Sequence, residues 1–194
     1  NIESFKRSKL ATKKELGLQD FFVVTGVGRF IPLKDFESLI KSFENLDKNI
    51  LCILIGGYPI NSYLEIIDDL KIDNIKFIPF LNKDELNKYY DASDIFVLPT
   101  TGDVWGLVIN ESMARGLPII TTNKCGAGLE LINDGMNGFI VDVKSPDQIK
   151  EKIEFLYKNT NIAHQMGQKN IEIIRDYSLA NSTMRHLDIF KKLT

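Results

Sequence analysis

Six short runs of almost unbroken apolar residues, each followed by a stretch with helical character, constrain this chain more than any other feature. The runs are FFVVTG (21–26), ILCILIG (50–56), IKFI (75–78), DIFVLP (94–99), PIIT (118–121) and GFIV (138–141). A strand wetted on one side alternates apolar and polar residues, whereas a strand buried on both faces has no reason to. Continuous runs separated by helices therefore predict a parallel sheet covered on both faces, the doubly wound α/β class with six strands. Helices are expected near 33–45, 60–71, 83–91, 107–115 and 128–133, and almost without interruption beyond 145. There Ile149, Ile153 and Leu156 recur at helical spacing and should pack on the sheet. The segment from Tyr177 to Leu193 reads as a final amphipathic helix.

Local signals sharpen several boundaries. Asn82 with Glu85 has the form of a capping box, and Ser145-Pro146 followed by Gln148 reads as an N-cap with proline at the first helical position. Asn137-Gly138 marks a turn before the last strand, and Gly116 with Pro118 marks a helix stop. The chain opens on Asn1, and its first 20 residues are polar and Lys-rich. They are expected to be a lead-in from an amino-terminal domain of a longer protein, with 21–194 as one domain that includes the late helices.

A pI near 5.8 and a net charge of −2 argue against a general nucleic-acid binder, which carries a basic surplus. The figure leaves room for membrane association through local patches. No apolar run has the length of a membrane span, and no secretory signal begins the chain. Two cysteines are too few for a disulfide framework or a zinc spacing. Cys52 falls in a strand run and should be a buried thiol, which fits a reducing, cytoplasmic setting.

In an open parallel sheet the ligand crevice lies beyond the carboxyl ends of the strands, and the unusual residues fall there. The first strand runs into TGVGRFIPLKDF, with Gly26 and Gly28 at its tip and Arg29 and Lys34 five residues apart. Arg29 can grip an anion with parallel N–H bonds and Lys34 adds a compact charge; a pair of solvated cations is the alternative. The second strand ends in Gly56-Gly57, a close approach to ligand or a plain turn. The third leads to Phe80 and Leu81, an apolar platform for a base or ordinary core. The fourth leads into GDVWGLVINESMARGLP (102–118), where Asp103 and Glu111 bracket a helix start at Gly106-Leu107. Free N–H groups at that start favour an anion such as phosphate, and the carboxylates can accept from hydroxyls. Anion plus polyol describes a nucleotide sugar. Asp103 has a turn aspartate as its alternative, whereas Glu111 is expected in the first turn at the crevice. Gly126 and Gly128 ahead of Glu130 belong either to a loop closing over the site or to a connection capping a short helix. His164 and His186 read as surface or packing residues.

Three motifs taken together, GVGRFIPLKD, ASDIFVLPTTGDVWGLVINESMARGLPIITT and GAGLELINDGMNGFIV, resemble the carboxyl-terminal domain of retaining glycosyltransferases of the two-domain GT-B type, the glycosyl transferases group 1 family. The resemblance runs from about Leu10 to the end. It implies a Rossmann-like half of a GT-B fold with extra carboxyl-terminal helices. It also implies that Arg29 and Lys34 bind the donor diphosphate and that Glu111 holds the ribose hydroxyls. Asp103 and the backbone of Trp105, Gly106, Leu107 and Val108 would bind the transferred sugar and distal phosphate. Phe80 and Leu81 would cradle the base, and Gly28 and Gly57 would complete the nucleotide pocket.

The implied activity is that of a hexosyl-type glycosyltransferase in polysaccharide or surface-glycan synthesis, with a nucleoside-diphosphate sugar as donor and no divalent metal or other cofactor. Retention without an evident nucleophile implies front-face attack, with the departing phosphate helping to deprotonate the acceptor. An amino-terminal domain of the same protein would bind the acceptor glycan or lipid, so the isolated chain should not turn over. A cytoplasmic location is implied, with peripheral attachment at the inner membrane face. Asp103 stands where the family usually has glutamate, which shortens its reach to the sugar, and Pro79 where it often has glycine. A non-catalytic nucleotide-sugar-binding module is the alternative. A flavodoxin-like or receiver-like domain would want acidic residues at the first strand tip, where this chain has Gly-Arg.

Overall fold

The computed structural model describes residues 2–177 together with 181, 183, 184, 187 and 190. Strands β1 (Phe22–Val27), β2 (Ile50–Ile55), β3 (Ile75–Ile78), β4 (Ile95–Leu98), β5 (Ile119–Thr122) and β6 (Gly138–Val141) form one sheet in the order β3-β2-β1-β4-β5-β6. All neighbours are parallel. The helices are α1 (Ile2–Glu15), α2 (Phe36–Lys41), α3 (Asn61–Asp69), α4 (Lys83–Ala92), α5 (Leu107–Ala114), α6 (Gly126–Leu131), α7 (Pro146–Lys158) and α8 (Thr160–Arg175). The sheet grows outward in both directions from β1 and β4. That makes the β1–β4 boundary a topological switch point, where loops leaving the two strands diverge and open a crevice.

Both faces of the sheet are sealed, which explains the unbroken apolar runs. Along β2, Cys52 and Leu54 join Val24, Phe36, Leu39, Val97 and Ile153 in one cluster. Leu51, Ile53 and Ile55 join Val23, Phe96, Ile109 and Met113 in the other. Each such side chain, fully buried, contributes about 1.5–3 kcal/mol. Helix α8 serves both layers: Ala163 and Met166 pack in the first, Ile173 and Ile174 against the second. It passes the β5 end so closely that a Cβ on Gly167 would lie 2.0 Å from the Gly116 carbonyl oxygen.

Several expectations need correction. The single helix expected at 33–45 is a 3-10 turn (Pro32–Lys34) and the short α2, separated by Asp35 in the left-handed region at φ 50°. Gly26 is not at the β1 tip but inside the strand, packed under Leu54 and Phe36. The lead-in contains α1, whose Lys9 and Lys13 fasten it through ion pairs that polar composition does not announce. Asp94 receives Lys9 at 2.7 Å, Lys13 at 2.5 Å and the Val23 N–H at 2.7 Å. The Asn82–Glu85 capping box is present. Ser145 precedes Pro146 as expected but its side chain caps nothing, and Gln148 turns back to the Asp142 N–H and carboxylate. Asn137 does more than turn the chain. Buried, it accepts from the Asn133 N–H, donates to the Leu131 carbonyl and meets Asn170 of α8. The final helix expected over 177–193, with His186, lies largely outside the described residues.

Candidate functional site

The crevice is built by three loops tied together through backbone atoms. After β1 the chain turns through the 3-10 segment, and the Leu33 carbonyl there accepts from the Thr100 hydroxyl at 2.7 Å and the Thr101 N–H at 2.9 Å. That contact draws the loop after β4 to the loop after β1. Lys34, the next residue, consequently meets Asp103 in an ion pair whose side chains are 18% and 17% exposed. The loop after β5 supplies the floor. The Asp103 N–H donates to the Lys124 carbonyl at 2.9 Å, Gly126 N–H to Asp103 at 3.1 Å and Ala127 N–H to Trp105 at 2.7 Å. Of the two readings for Gly126 and Gly128, a short helix start bonded to the site loop is what forms.

Two glycines are demanded by this lacing. Gly106 sits at φ 90° as the N-cap of α5, where a Cβ would lie 2.6 Å from the Cys125 Sγ. Gly56 sits at φ 134°, where a Cβ would lie 2.3 Å from the Gly28 carbonyl oxygen. A side chain at either place would push the strand tips apart.

Beside the Lys34–Asp103 pair lies an apolar cleft of about 260 Å³ lined by Gly28, Arg29, Gly56, Phe80, Leu81 and Val108 among others. The aliphatic stem of Lys34 passes over Gly28 at van der Waals distance from its missing Cβ, which joins the charged and apolar halves of the site. Phe80 stands 84% exposed at the rim, available for stacking rather than used as core. The structure thus brings Gly28, Arg29, Phe80, Leu81 and Val108 to one cleft and Lys34 to Asp103 beside it. Gly56 lines the cleft, while the adjacent Gly57 faces the Phe30 ring.

The start of α5 is capped by no side chain, so the N–H groups of Leu107 and Val108 lack intrahelical acceptors at the crevice end of the helix. The Leu107 side chain is exposed, while Trp105 is half-buried with its indole N–H donated to Asn110 at 2.9 Å. Glu111 is in the second turn rather than the first, because Leu107 to Asn110 fill the first turn of α5. It remains exposed, and its carboxylate accepts from the buried Tyr90 hydroxyl at 3.1 Å.

The Tyr90 contact to Glu111 and the Leu33 carbonyl were not legible in the sequence. A tyrosine in NKYYDAS looks like any helix residue, and a backbone carbonyl carries no sequence mark. Burial, with Glu111 as a smaller cause, holds the Tyr90 phenol far above the usual tyrosine range. Burial likewise raises the Cys125 and Cys52 thiols. His164 lines a different cavity, with Lys9 and Asp94, at the opposite sheet end. Among the described residues no group of three or more His, Cys, Asp or Glu is placed to hold a metal ion, and no helix is long and apolar enough to cross a membrane.

The family model for glycosyl transferases group 1 matches residues 8–173. The capsular polysaccharide biosynthesis glycosyltransferase CapM of Staphylococcus aureus is 30% identical over 164 residues, covering 82% of this chain and 43% of CapM. The chain spans about half the length of the curated relatives it matches. Among solved structures, Anabaena HepE in complex with UDP and glucose superposes with a TM-score of 0.86 at 19% identity, over 96% of this chain and 52% of HepE. The carboxyl-terminal domain of LpcC, a glycosyl transferase group 1 family protein from Francisella tularensis, superposes at 0.79 with 22% identity, over 88% of this chain and 93% of that domain. The fold is that of a Rossmann-like domain of a GT-B glycosyltransferase.

Proposed function

This chain belongs to the glycosyl transferases group 1 family, and we propose that it is the donor-binding half of a retaining enzyme that moves a sugar from a nucleoside diphosphate to an acceptor. The observation that carries the reading is the Lys34–Asp103 pair, held across two loops at the switch point and adjoining an apolar cleft with Arg29 in its wall. Phe80 and Leu81 take the base, Glu111 the ribose, and Arg29 and Lys34 the diphosphate. Asp103 and the amides from Trp105 to Val108 take the sugar and distal phosphate. The complex of HepE with UDP and glucose supports that choice of ligand.

The physical case rests on where charge develops. As the glycosidic bond breaks, the diphosphate gains negative charge, and fixed cations with helix-start amides stabilise it without reorganising. Lys34 carries three donors, so it can keep Asp103 while meeting a phosphate oxygen. In this proposal the two cations do what a divalent metal does elsewhere, and no metal is required. Attack comes from the front face, with the leaving phosphate accepting the acceptor proton.

A further domain of the full-length protein supplies the acceptor site, so the chain alone does not turn over. Polysaccharide or surface-glycan synthesis, at the cytoplasmic face of a membrane, is the proposed setting, and the likeness to CapM supports it. Transfer assays on the full-length protein test the reading. Asp103→Ala should abolish most sugar transfer and Asp103→Glu should retain it with an altered donor preference. Unchanged transfer by both variants would remove Asp103 from the sugar site.

A further inference from the structure

Tyr90 is buried to 1% exposure on α4, edge-on to Phe96 with ring centroids 5.9 Å apart. It cannot reach a ligand in the crevice. A buried phenol nevertheless needs an acceptor, and its hydroxyl finds the Glu111 Oε2 at 3.1 Å on the neighbouring α5. The next residue repeats the connection. Asp91 accepts from the Arg115 guanidinium at 3.1 and 3.2 Å, and Arg115 lies one turn beyond Glu111. Adjacent residues of α4 therefore hold two successive turns of α5, and one of those turns carries the exposed carboxylate.

An exposed glutamate ordinarily loses rotamer freedom when a ligand immobilises it. Here one oxygen is already attached to a hydroxyl embedded in the core, and the other is left for the ligand. We propose that Tyr90 is a positioning residue, which clamps one oxygen of Glu111 so that the carboxylate is preset for a pair of vicinal hydroxyls. This rests on the reading in which Glu111 takes the ribose. Burial keeps the phenol protonated throughout the working range, so the clamp is a permanent donor.

Tyr90→Phe keeps the ring, its packing and the Asp91–Arg115 bond while deleting the hydroxyl. The test is calorimetric affinity for UDP and for 2′,3′-dideoxy-UDP in the wild type, Tyr90→Phe, Glu111→Gln and the double variant. Tyr90→Phe should weaken UDP by about three- to tenfold, the worth of one hydrogen bond, and leave the dideoxy ligand within about twofold. Added to Glu111→Gln it should cost nothing more, because it acts through Glu111. Equal losses for both ligands would make Tyr90 structural only and overturn the proposal. So would a full loss of discrimination in Glu111→Gln with none in Tyr90→Phe. If Glu111→Gln itself treats the two ligands alike, the ribose reading has failed and the clamp with it, a result distinct from failure of the clamp alone.

Discussion

The two ends of the sheet each carry a lysine–aspartate contact, and they are put to opposite uses. At the end where the strands begin, Asp94 is held by Lys9, Lys13 and the Val23 N–H, while Lys13 also donates to the Phe21 carbonyl at 2.7 Å. At the end where the strands finish, Lys34 is the hydrogen-bond partner of the Asp103 carboxylate among the described residues. Exposure does not separate the two, since Asp94 and Asp103 are both 17% exposed at the side chain. Spare capacity does. A carboxylate held by three donors on both its oxygens is a staple, whereas one with a single partner beside an apolar cleft can still take a ligand.

The largest difference should come from truncating the two aspartates. Asp94→Ala strands two lysines against the fold and releases α1, at a cost of about 2–4 kcal/mol in urea unfolding, with some relief because the pair is not fully dry. Asp103→Ala should cost less than about 1 kcal/mol. If the two variants are equally destabilised, the distinction between staple and site is lost. Next in size is Lys34→Ala, which should weaken nucleoside diphosphate binding by about tenfold or more, whereas Lys13→Ala should leave binding unchanged and lower stability. A matching loss of affinity from both lysines would contradict the contrast.

The smallest effect is a pH dependence. Burial, outweighing the attraction of Asp94, lowers the Lys9 pKa below its ordinary 10.5. Between the lowered value and 10.5 the unfolded chain binds the extra proton, so stability rises with pH across that alkaline window. Lys9→Met should flatten this rise in unfolding curves taken at stepped pH. A slope identical to the wild type would mean that the proton is not held off in the fold.

Much of this arrangement was legible beforehand because apolar runs and caps are local. All six strands fall within about a residue of their expected places, and the Asn82–Glu85 box is where the spacing put it. What escaped depends on distant partners. Helix α1 is tied to the sheet by Lys9 and Lys13, a contact no periodicity announces, and Asp94 became meaningful only with those lysines beside it. In the cleft, Arg29, Lys34 and Asp103 could be nominated from chemistry at strand ends. Which of Gly56 and Gly57 lines the cleft could not, because it turns on which of two adjacent glycines meets the Gly28 carbonyl. The helix start at Gly106-Leu107 was legible, but Leu107 to Asn110 fill its first turn, which puts Glu111 in the second.

The most direct measurement is calorimetric titration of this chain with UDP, GDP and ADP, for the wild type and Arg29→Ala. Binding of one nucleotide, weakened about tenfold or more in the variant, is the predicted result. Binding that Arg29→Ala leaves unchanged would show that the diphosphate does not sit at the end of β1 and would contradict the proposed donor site.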